Sequence, residues 1–392
     1  MRIGFTDGQE KLRIELRQYF SDLMTEERRT ALAGPGGEFG DGVAYKEIAR
    51  RLGRDGYLAM GWPREYGGQG RSMIDQLIFT EEAAIAEVPV PFLTVNTVGP
   101  AIMRYGTEAQ KNYFLPRIAR GELHFAIGYS EPEAGTDLAS LRTRAVRDGD
   151  EYVINGQKMW TSLIEYADYI WLAARTDPEA KRHKGLSILI VPTEANGFSW
   201  TKIHTVAGLG TSATYYSDVR VPADNVVGGE NVGWNLITNQ LNHERVALSA
   251  AAPTQEALRQ VRQWAQTTKS PDGSRVVDAE WVQTHLARVH ANVEYQKLRS
   301  WKIASDADSG EITMADASAT KVFGTEFALE CYRLLMEVLG AGAIVRYDSV
   351  GTMLRGRIER YQRSSLILTF GGGTNEVQRE IIAATLGLPV TR

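Results

Sequence analysis

The chain has 392 residues and a net charge of −4, with 43% apolar and 23% charged residues, a composition typical of a globular protein with more than one packed core. The densest basic run, KRHK at residues 181–184, is too short for the positive stripe that nucleic acids require, so we expect no nucleic-acid partner. No segment approaches the roughly 20 consecutive apolar residues of a transmembrane helix, so we expect no membrane span.

The first 121 residues have the periodicity of helices. Apolar residues recur at three- and four-residue spacings over residues 5–20, 45–58 and 74–86. We therefore predict an N-terminal helical domain over residues 1–121.

The period changes after residue 121. Strand-like runs follow, and the dipeptides Asp148-Gly149 and Asn155-Gly156 predict two hairpin turns. We predict a small antiparallel β domain over residues 122–230.

Helical spacing returns at Gly233 and predicts a third, helical domain over residues 231–392. The main predicted helices span residues 234–262, 281–306, 314–339 and 352–368. Cys331, the only cysteine, lies in one of these apolar runs, so we predict a buried, inert thiol. A single cysteine excludes an intrachain disulfide and is consistent with a cytoplasmic location.

Two segments of the β domain carry the strongest chemical signal. FAIGYSEPEAGTD (residues 125–137) and INGQKMWTS (residues 154–162) place small hydroxyls and one large aromatic side chain, Trp160, at strand ends. A flavin ring needs a flat apolar wall on one face and hydrogen-bonding groups along its edge. Either segment alone could be a plain hairpin with a buried tryptophan, but both at this spacing favour a flavin site.

These segments resemble the flavin-contacting segments of the acyl-CoA dehydrogenase family, and the order of helices, strands and helices resembles that fold over nearly the whole chain. The resemblance implies an α+β fold with an N-terminal helical domain, a middle antiparallel β-barrel and a C-terminal four-helix bundle. It also implies a cytoplasmic FAD enzyme that removes an α proton and a β hydride from an acyl-CoA thioester. Electrons would then pass to an electron-transfer flavoprotein.

The resemblance also implies residue roles. Ser162 would contact the flavin near N5, Ser130 would contact its pyrimidine edge, and Trp160 would cover the ring face away from the substrate. The other implied cofactor-binding residues are Tyr129, Gly135, Thr136, Thr161, Thr374 and Gln378.

The reaction needs a carboxylate base, and the sequence offers two positions for it. In much of the family the base precedes a C-terminal Gly-Thr, but the matching residue here is Gly372, which excludes a base there. Other members carry the base on a helix whose matching segment here is LNHERV, and this points to Glu244. Arg245 would help to hold the substrate or Glu244.

The spacing around Glu244 supports the same residue. It is the only charge on one predicted helical stripe, formed by Ile237, Leu241, Glu244, Leu248 and Ala251. A carboxylate facing an apolar interior has a raised pKa, which suits α-proton abstraction near neutral pH. The alternative is a Glu244 that pairs with a buried arginine and has a structural role only.

Gly372 has a second implication. Without a side chain there, volume opens beside the thioester and a bulky acyl group becomes possible, while the backbone N–H of Gly372 can still polarise the thioester carbonyl. The simpler interpretation, that three glycines end one helix before Thr374 caps the next, is compatible with this role.

In family homotetramers the neighbouring subunit completes each flavin site with an Arg from an Arg-x-x-x-Phe-Gly segment and a Gln before a Gly-rich loop. Here residues 267–283 lack that motif, and Glu337 stands at the glutamine position, where its carboxylate would repel a pyrophosphate. We therefore predict that a different partner subunit supplies those groups, and the resemblance implies a homologous subunit in an α2β2 heterotetramer. LNHERVALS and LTFGGGTNEVQR resemble the catalytic subunit of the heterotetrameric enzymes of bacterial steroid side-chain degradation, which implies a steroid-CoA substrate, as in cholesterol catabolism.

Other functions remain open from the sequence. The alternatives are a non-catalytic scaffold subunit, a flavin oxidase or monooxygenase on the same fold, and an acyl-CoA binding module without redox chemistry. The six histidines have no metal-ligand spacing, so we predict no metal site.

Overall fold

The computed structural model describes residues 4–33, 38–208, 210–247, 250–309, 313–346 and 349–389, with side chains except at residues 241–247 and 355. These residues form three consecutive regions, which are helical, β-sheet and helical. None of the described helices is long and apolar enough to cross a membrane.

The first region packs around one apolar core. Helix α1 begins at a capping box, in which Thr6 and Gln9 exchange side-chain and backbone hydrogen bonds. Its buried face, which includes Leu16 and Phe20, packs against α4 as the helical spacing predicts. The helices are α1 (Asp7–Leu23), α2 (Glu26–Leu32), α3 (Val43–Arg54), α4 (Met73–Ile85), α5 (Gly99–Tyr105) and α6 (Glu108–Ala119).

The middle region is one sheet with the strand order β6-β7-β3-β2-β4-β5-β8, to which β1 is added by pairing with β4. Strand β1 runs parallel to β4, β2 meets β4 in parallel at a single residue pair, and the other pairings are antiparallel. The strands are β1 (Phe125–Gly128), β2 (Arg144–Asp148), β3 (Glu151–Lys158), β4 (Tyr169–Arg175), β5 (Leu186–Pro192), β6 (Phe198–His204), β7 (Gly210–Pro222) and β8 (Val226–Val227).

The prediction of an antiparallel barrel is therefore wrong in two respects. The sheet is mixed, and it is not closed, since β6 and β8 do not pair with each other within the described residues. The parallel pairing joins Phe125 to Tyr169, which are far apart in the chain. Alternation along one strand shows which face a residue occupies but not which strand lies beside it, so the sequence pattern does not reveal this pairing.

One of the two predicted hairpin turns is confirmed. The Asp148-Gly149 turn joins β2 to β3, and Gly149 has φ +63°. The prediction of a turn at Asn155-Gly156 is wrong, because Gly156 lies inside β3 at a register shift against β7 and has φ +153°. A Cβ on Gly156 would lie 2.4 Å from Thr143 Oγ1, so a close approach of two segments explains the glycine.

The C-terminal region is built around α10, against which the other five helices pack. The predicted helix over residues 314–339 coincides with α10, and Cys331 is buried in it as predicted, with burial raising the pKa of its thiol. The helices are α7 (Gly233–Ala247), α8 (Ala252–Thr267), α9 (Glu280–Ser309), α10 (Met314–Leu339), α11 (Arg357–Ser365) and α12 (Asn375–Thr385).

The single helix predicted over residues 234–262 is in fact two helices, α7 and α8. Pro253 lies in the first turn of α8, and a proline both lacks an N–H donor and disfavours helical geometry in the residue before it. Ala251 therefore lies beyond the end of α7 and does not share a helical stripe with Ile237, contrary to the prediction.

Candidate active site

The two predicted flavin segments, residues 125–137 and 154–162, meet where β1 and β3 end. The backbone N–H of Met159 donates to Ser130 O at 2.8 Å. Lys158, the last residue of β3, donates from Nζ to Tyr129 O at 3.0 Å. These two hydrogen bonds join segments that are distant in the chain into one local structure.

A buried ion pair stabilises this junction. Lys158 is fully buried, and its Nζ lies 2.8 Å from Glu131 Oε1. The Glu131 carboxylate also accepts hydrogen bonds from the backbone N–H groups of Arg142 at 2.6 Å and Thr143 at 2.9 Å. Burial lowers the pKa of Lys158 to about 8 against the attraction of Glu131, so the ammonium is still protonated at neutral pH. Burial opposes ionisation of Glu131, but Lys158 and the hydrogen-bond donors outweigh it and hold the pKa of this carboxyl below its usual value.

Trp160 lies on the surface just beyond β3. Its side chain is 55% exposed, and its φ of +63° falls in the left-handed region that non-glycine residues rarely adopt. The alternative interpretation of this segment as a hairpin with a buried tryptophan is therefore wrong. Unusual backbone geometry together with an exposed aromatic ring is typical of a binding surface.

A backbone carbonyl and a hydroxyl group of β7 support the residues that follow Trp160. Thr161 is buried and its backbone N–H donates to Ser212 O at 2.9 Å, while Ser162 Oγ lies 3.1 Å from Thr211 Oγ1. Ser212 Oγ is buried and has no hydrogen-bond partner within the described part of the chain.

The first segment contributes four of the predicted residues. Gly135 and Thr136 are exposed, and a Cβ added to Gly135 would meet no atom within 4 Å. Ser130 is half-buried beside them. Tyr129 is buried instead, and its hydroxyl donates to Gln240 Oε1 at 2.5 Å, so this hydroxyl binds helix α7 and is not part of the exposed surface.

A glycine turn precedes α12. Gly372 and Gly373 have φ values of +66° and +91°, which glycine adopts without steric cost. Lys321 of α10 is fully buried and donates from Nζ to Thr369 O at 3.1 Å and to Gly373 O at 2.9 Å. It also donates to Asn375 Oδ1 at 2.6 Å, so one ammonium group holds both ends of the turn.

Thr374 and Gln378 stabilise the same turn. Thr374 is the N-cap of α12, and its Oγ1 accepts from Val377 N at 3.3 Å. Gln378 is fully buried, accepts from Ser318 Oγ at 2.9 Å and donates to Gly372 O at 3.4 Å. The buried Gln378 side chain therefore holds Gly372 from the protein interior. This placement is not consistent with the predicted direct contact of the Gln378 side chain with a flavin.

The predicted base, Glu244, and its neighbour Arg245 are on α7, but their side chains lie outside the described residues. The helix itself packs against both β5 and α10, and Ile237 is fully buried. The backbone of α7 thus contacts both the sheet and the helix that carries Lys321.

The residues that the sequence analysis assigns to a neighbour-binding face carry local ion pairs. Glu337 on α10 pairs with His285 of α9 at 2.7 Å and with Arg333. The hydrogen bond from His285, with the charge of Arg333, holds the pKa of Glu337 below its usual range, so Glu337 is ionised at neutral pH. In the segment before α9, Arg275 pairs with Asp278 at 2.6 Å.

Sequence reasoning missed Lys158 and Lys321. Lys158 occupies a buried position of β3, and Lys321 lies on the buried face of α10 with Ala317 and Thr325. The strand or helix period assigns certain positions to the buried face, and a lysine at such a position indicates a buried charge. This signal could have identified both lysines.

Comparison with known proteins identifies the family. Residues 6–122 match the N-terminal domain of acyl-CoA dehydrogenases, residues 126–219 the middle domain and residues 231–387 the C-terminal domain. The chain belongs to the acyl-CoA dehydrogenase family. It is an oxidoreductase of this family.

Several relatives match over the full length. The chain is 66% identical to acyl-CoA dehydrogenase FadE26 of Mycobacterium tuberculosis (strain ATCC 25618 / H37Rv), with 99% of each chain covered. Among solved structures, the ChsE4-ChsE5 complex from Mycobacterium tuberculosis has a TM-score of 0.93 and 64% identity over 100% of both chains. The Tcur3481-Tcur3483 steroid ACAD has a TM-score of 0.92 and 50% identity, also over 100% of both chains.

Proposed function

We propose that this chain is the FAD-dependent catalytic subunit of a heteromeric acyl-CoA dehydrogenase that oxidises a bulky acyl-CoA, such as a steroid side-chain CoA thioester, to its α,β-unsaturated product. The observation that carries the proposal is the exposed Trp160 in its left-handed conformation beside Thr161 and Ser162. The buried Lys158–Glu131 pair anchors this surface to the sheet.

The residues of this surface fit FAD. An isoalloxazine ring has a flat face, which the Trp160 indole can cover, and a polar edge, which the partly exposed Ser162 can satisfy. Thr161, which is fully buried, joins this segment to β7 and holds Trp160 and Ser162 in place. When bound at these residues, FAD would supply the acceptor for the hydride that leaves the β carbon. The remaining expected cofactor contacts are Ser130, Gly135, Thr136 and Thr374.

The reaction also needs a base, for which we propose Glu244. Helix α7 packs on α10, and α10 holds the glycine turn through Lys321. The Glu244 carboxylate takes the α proton, and the electron pair of the broken C–H bond moves into the forming double bond. The backbone N–H of Gly372 donates to the thioester carbonyl, where negative charge develops, and Arg245 helps to position the substrate or Glu244.

Two observations support a bulky acyl group. Gly372 has no side chain at the position where much of the family has its base, which leaves room beside the thioester. The Tcur3481-Tcur3483 steroid ACAD has 50% sequence identity to this chain, with 100% of both chains covered.

The partner is proposed to be a second, homologous subunit in an α2β2 heterotetramer. An ionised Glu337 at the neighbour-binding face would repel the pyrophosphate of FAD, so this chain is poorly suited to complete the site of an identical copy. The similar solved structure from Mycobacterium tuberculosis is a complex of ChsE4 with ChsE5. Electrons are proposed to leave to an electron-transfer flavoprotein.

The base assignment is tested with Glu244→Gln in the FAD-loaded enzyme. We expect FAD content to be retained and turnover of a steroid side-chain acyl-CoA to fall about 10²- to 10⁴-fold, because a positioned general base contributes on this order. Glu294→Gln, which changes an exposed carboxylate of α9, is the matched control and should keep normal turnover. Near-normal turnover of an FAD-loaded Glu244→Gln enzyme would overturn the assignment.

The assembly is tested by FAD content. The chain produced alone should bind little FAD, whereas the chain co-produced with a homologous subunit should bind it stoichiometrically. A fully loaded homotetramer would contradict the heteromeric site, and a complex without FAD at Trp160 would favour the scaffold alternative. Fast reoxidation of the reduced flavin by oxygen would favour an oxidase.

A further inference from the structure

One face of α10 is polar although it is buried. Ser318, Lys321 and Thr325 follow each other at spacings of three and four residues, so they lie on the same face of the helix. All three side chains are fully buried. A buried ammonium or hydroxyl group is costly unless it is paired, and an apolar residue of similar size could fill the same space. This face therefore needs an explanation beyond packing.

The central residue of this face binds the backbone of the glycine turn, residues 369–374. Lys321 donates from Nζ to Thr369 O at 3.1 Å and to Gly373 O at 2.9 Å. It donates a third hydrogen bond to Asn375 Oδ1 at 2.6 Å, and Asn375 is the first residue of α12. One ammonium group thus fixes the backbone on both sides of position 372.

The other two residues of the face bind the turn through side chains of α12. Ser318 Oγ donates to Gln378 Oε1 at 2.9 Å, and Gln378 Nε2 donates to Gly372 O at 3.4 Å. Thr325 Oγ1 accepts from Asn375 Nδ2 at 3.1 Å. Asn375 and Gln378 are both buried, so these hydrogen bonds extend the polar face of α10 to Gly372 itself.

The turn has little means of holding its own conformation. Residues 371–373 are consecutive glycines, the residues with the most backbone freedom to lose, and Gly372 and Gly373 have positive φ values. Gly372 is partly exposed, whereas Lys321 and Gln378 are fully buried. The contacts that fix the turn therefore come from the protein interior and leave part of Gly372 exposed to a ligand.

We propose that the Lys321 ammonium and the Gln378 amide are positioning groups that hold the backbone N–H of Gly372 where it polarises the thioester carbonyl. This inference rests on the proposed function, in which this N–H stabilises the negative charge that develops on the carbonyl oxygen as the α proton leaves. A donor that is already fixed lowers the barrier more than one that must first be ordered. Both side chains act through the backbone of the turn.

The test measures polarisation of the carbonyl separately from turnover. The probe is the α,β-unsaturated product of a steroid side-chain acyl-CoA, labelled with carbon-13 in the thioester carbonyl, which the oxidised enzyme can bind without oxidising it further. Infrared difference spectra between labelled and unlabelled probe give the carbonyl stretching frequency in the complex. Turnover and KM are measured in parallel with the saturated acyl-CoA, using the FAD-loaded enzyme with its partner subunit.

In the unmodified enzyme the carbonyl frequency should fall when the probe binds, and Lys321→Met should lose about half or more of this shift. We expect kcat of this variant to fall about 10- to 100-fold and KM to stay within about threefold, because a misplaced donor weakens the transition state more than the bound substrate. Gln378→Met should have the same effects to a smaller degree.

Thr320→Val is the matched control. Thr320 is a fully buried residue of the same helix, and its Oγ1 accepts from Arg299 Nη2 of α9 at 2.8 Å instead of binding the turn. The Thr320→Val enzyme should lose a buried hydrogen bond but keep the normal carbonyl frequency and kcat. A loss of the frequency shift as large as that of Lys321→Met would show a general disturbance of α10 and would overturn the positioning role.

The outcomes separate this inference from the one on which it rests. If the unmodified enzyme shifts the carbonyl frequency and Lys321→Met shifts it equally, the role of Lys321 is overturned and the role of the Gly372 N–H stands. If the unmodified enzyme binds the probe without a shift, both are overturned. If Lys321→Met does not fold, an FAD-loaded Gln378→Met enzyme with an unchanged shift and kcat overturns the inference.

Discussion

Replacing Lys158 by methionine should destabilise the chain by about 3–5 kcal/mol, since this removes one partner of a buried ion pair and leaves the other charge behind. Lys158 is fully buried and Glu131 is 8% exposed, so little water can replace the lost ammonium at 2.8 Å. Glu131 would keep the N–H donors of Arg142 and Thr143, and Tyr129 O would lose its donor at 3.0 Å. A loss of this size is a large part of the total stability of an ordinary domain, which is about 5–15 kcal/mol.

The measurement is urea unfolding followed by tryptophan fluorescence, with FAD content determined on the same samples. The set contains Lys158→Met, Glu131→Gln and the double variant, which should be less destabilised than the sum of the single variants because the two residues are in contact. Arg220→Met is the control, because Arg220 forms exposed ion pairs on the same sheet and should have little effect. A Lys158→Met chain within about 1 kcal/mol of the unmodified protein would refute the argument that this pair stabilises the junction.

Three further substitutions or treatments test other parts of the structure. Gly156→Ala should lower the free energy of unfolding by about 1–3 kcal/mol, since its Cβ would lie 2.4 Å from Thr143 Oγ1. The control is Gly135→Ala, whose Cβ would meet no atom within 4 Å and whose φ is not positive, and it should have little effect in the same urea assay. Burial lowers the pKa of His124 to about 4, so between pH 6.5 and 4 the imidazole takes up a proton only in the unfolded chain. About 3 kcal/mol of stability should therefore be lost as the pH falls through this range. His124→Gln should remove that part of the pH dependence of unfolding, and a variant with an unchanged pH profile would contradict this reasoning. Cys331 should react with iodoacetamide only after unfolding, which mass spectrometry can detect, and rapid labelling of the folded chain would show that its burial is wrong.

Local patterns predicted the helices well where the chain continues without interruption. The bounds predicted for α10 coincide with the structure, because the spacing of its apolar residues depends only on the helix itself. The same reasoning joined α7 and α8, because it gave the helical pattern more weight than Pro253. It also assigned Asn155-Gly156 to a turn, since the close contact of Gly156 with Thr143 involves a segment that is not adjacent in the chain.

In the sheet and the candidate site, too, local patterns predicted some features, while others depend on contacts between distant segments. The two predicted flavin segments could be singled out from the residues in each, and so could the absence of a carboxylate at Gly372. The parallel pairing of β1 with β4 could not, because the pattern within a strand carries no information about its neighbours.

The amino-acid sequence by itself determined which chemical groups are available: an aromatic side chain between small hydroxyls, a glycine in place of an acid, and a carboxylate on a helix. Only the tertiary structure decided which of them are exposed and what holds them in place, namely the Lys158–Glu131 pair, the Lys321 ammonium under the glycine turn and the Tyr129–Gln240 hydrogen bond. The physical reason is that burial and pairing arise from contacts between residues that are far apart in the chain, whereas the patterns in a sequence describe each segment in isolation.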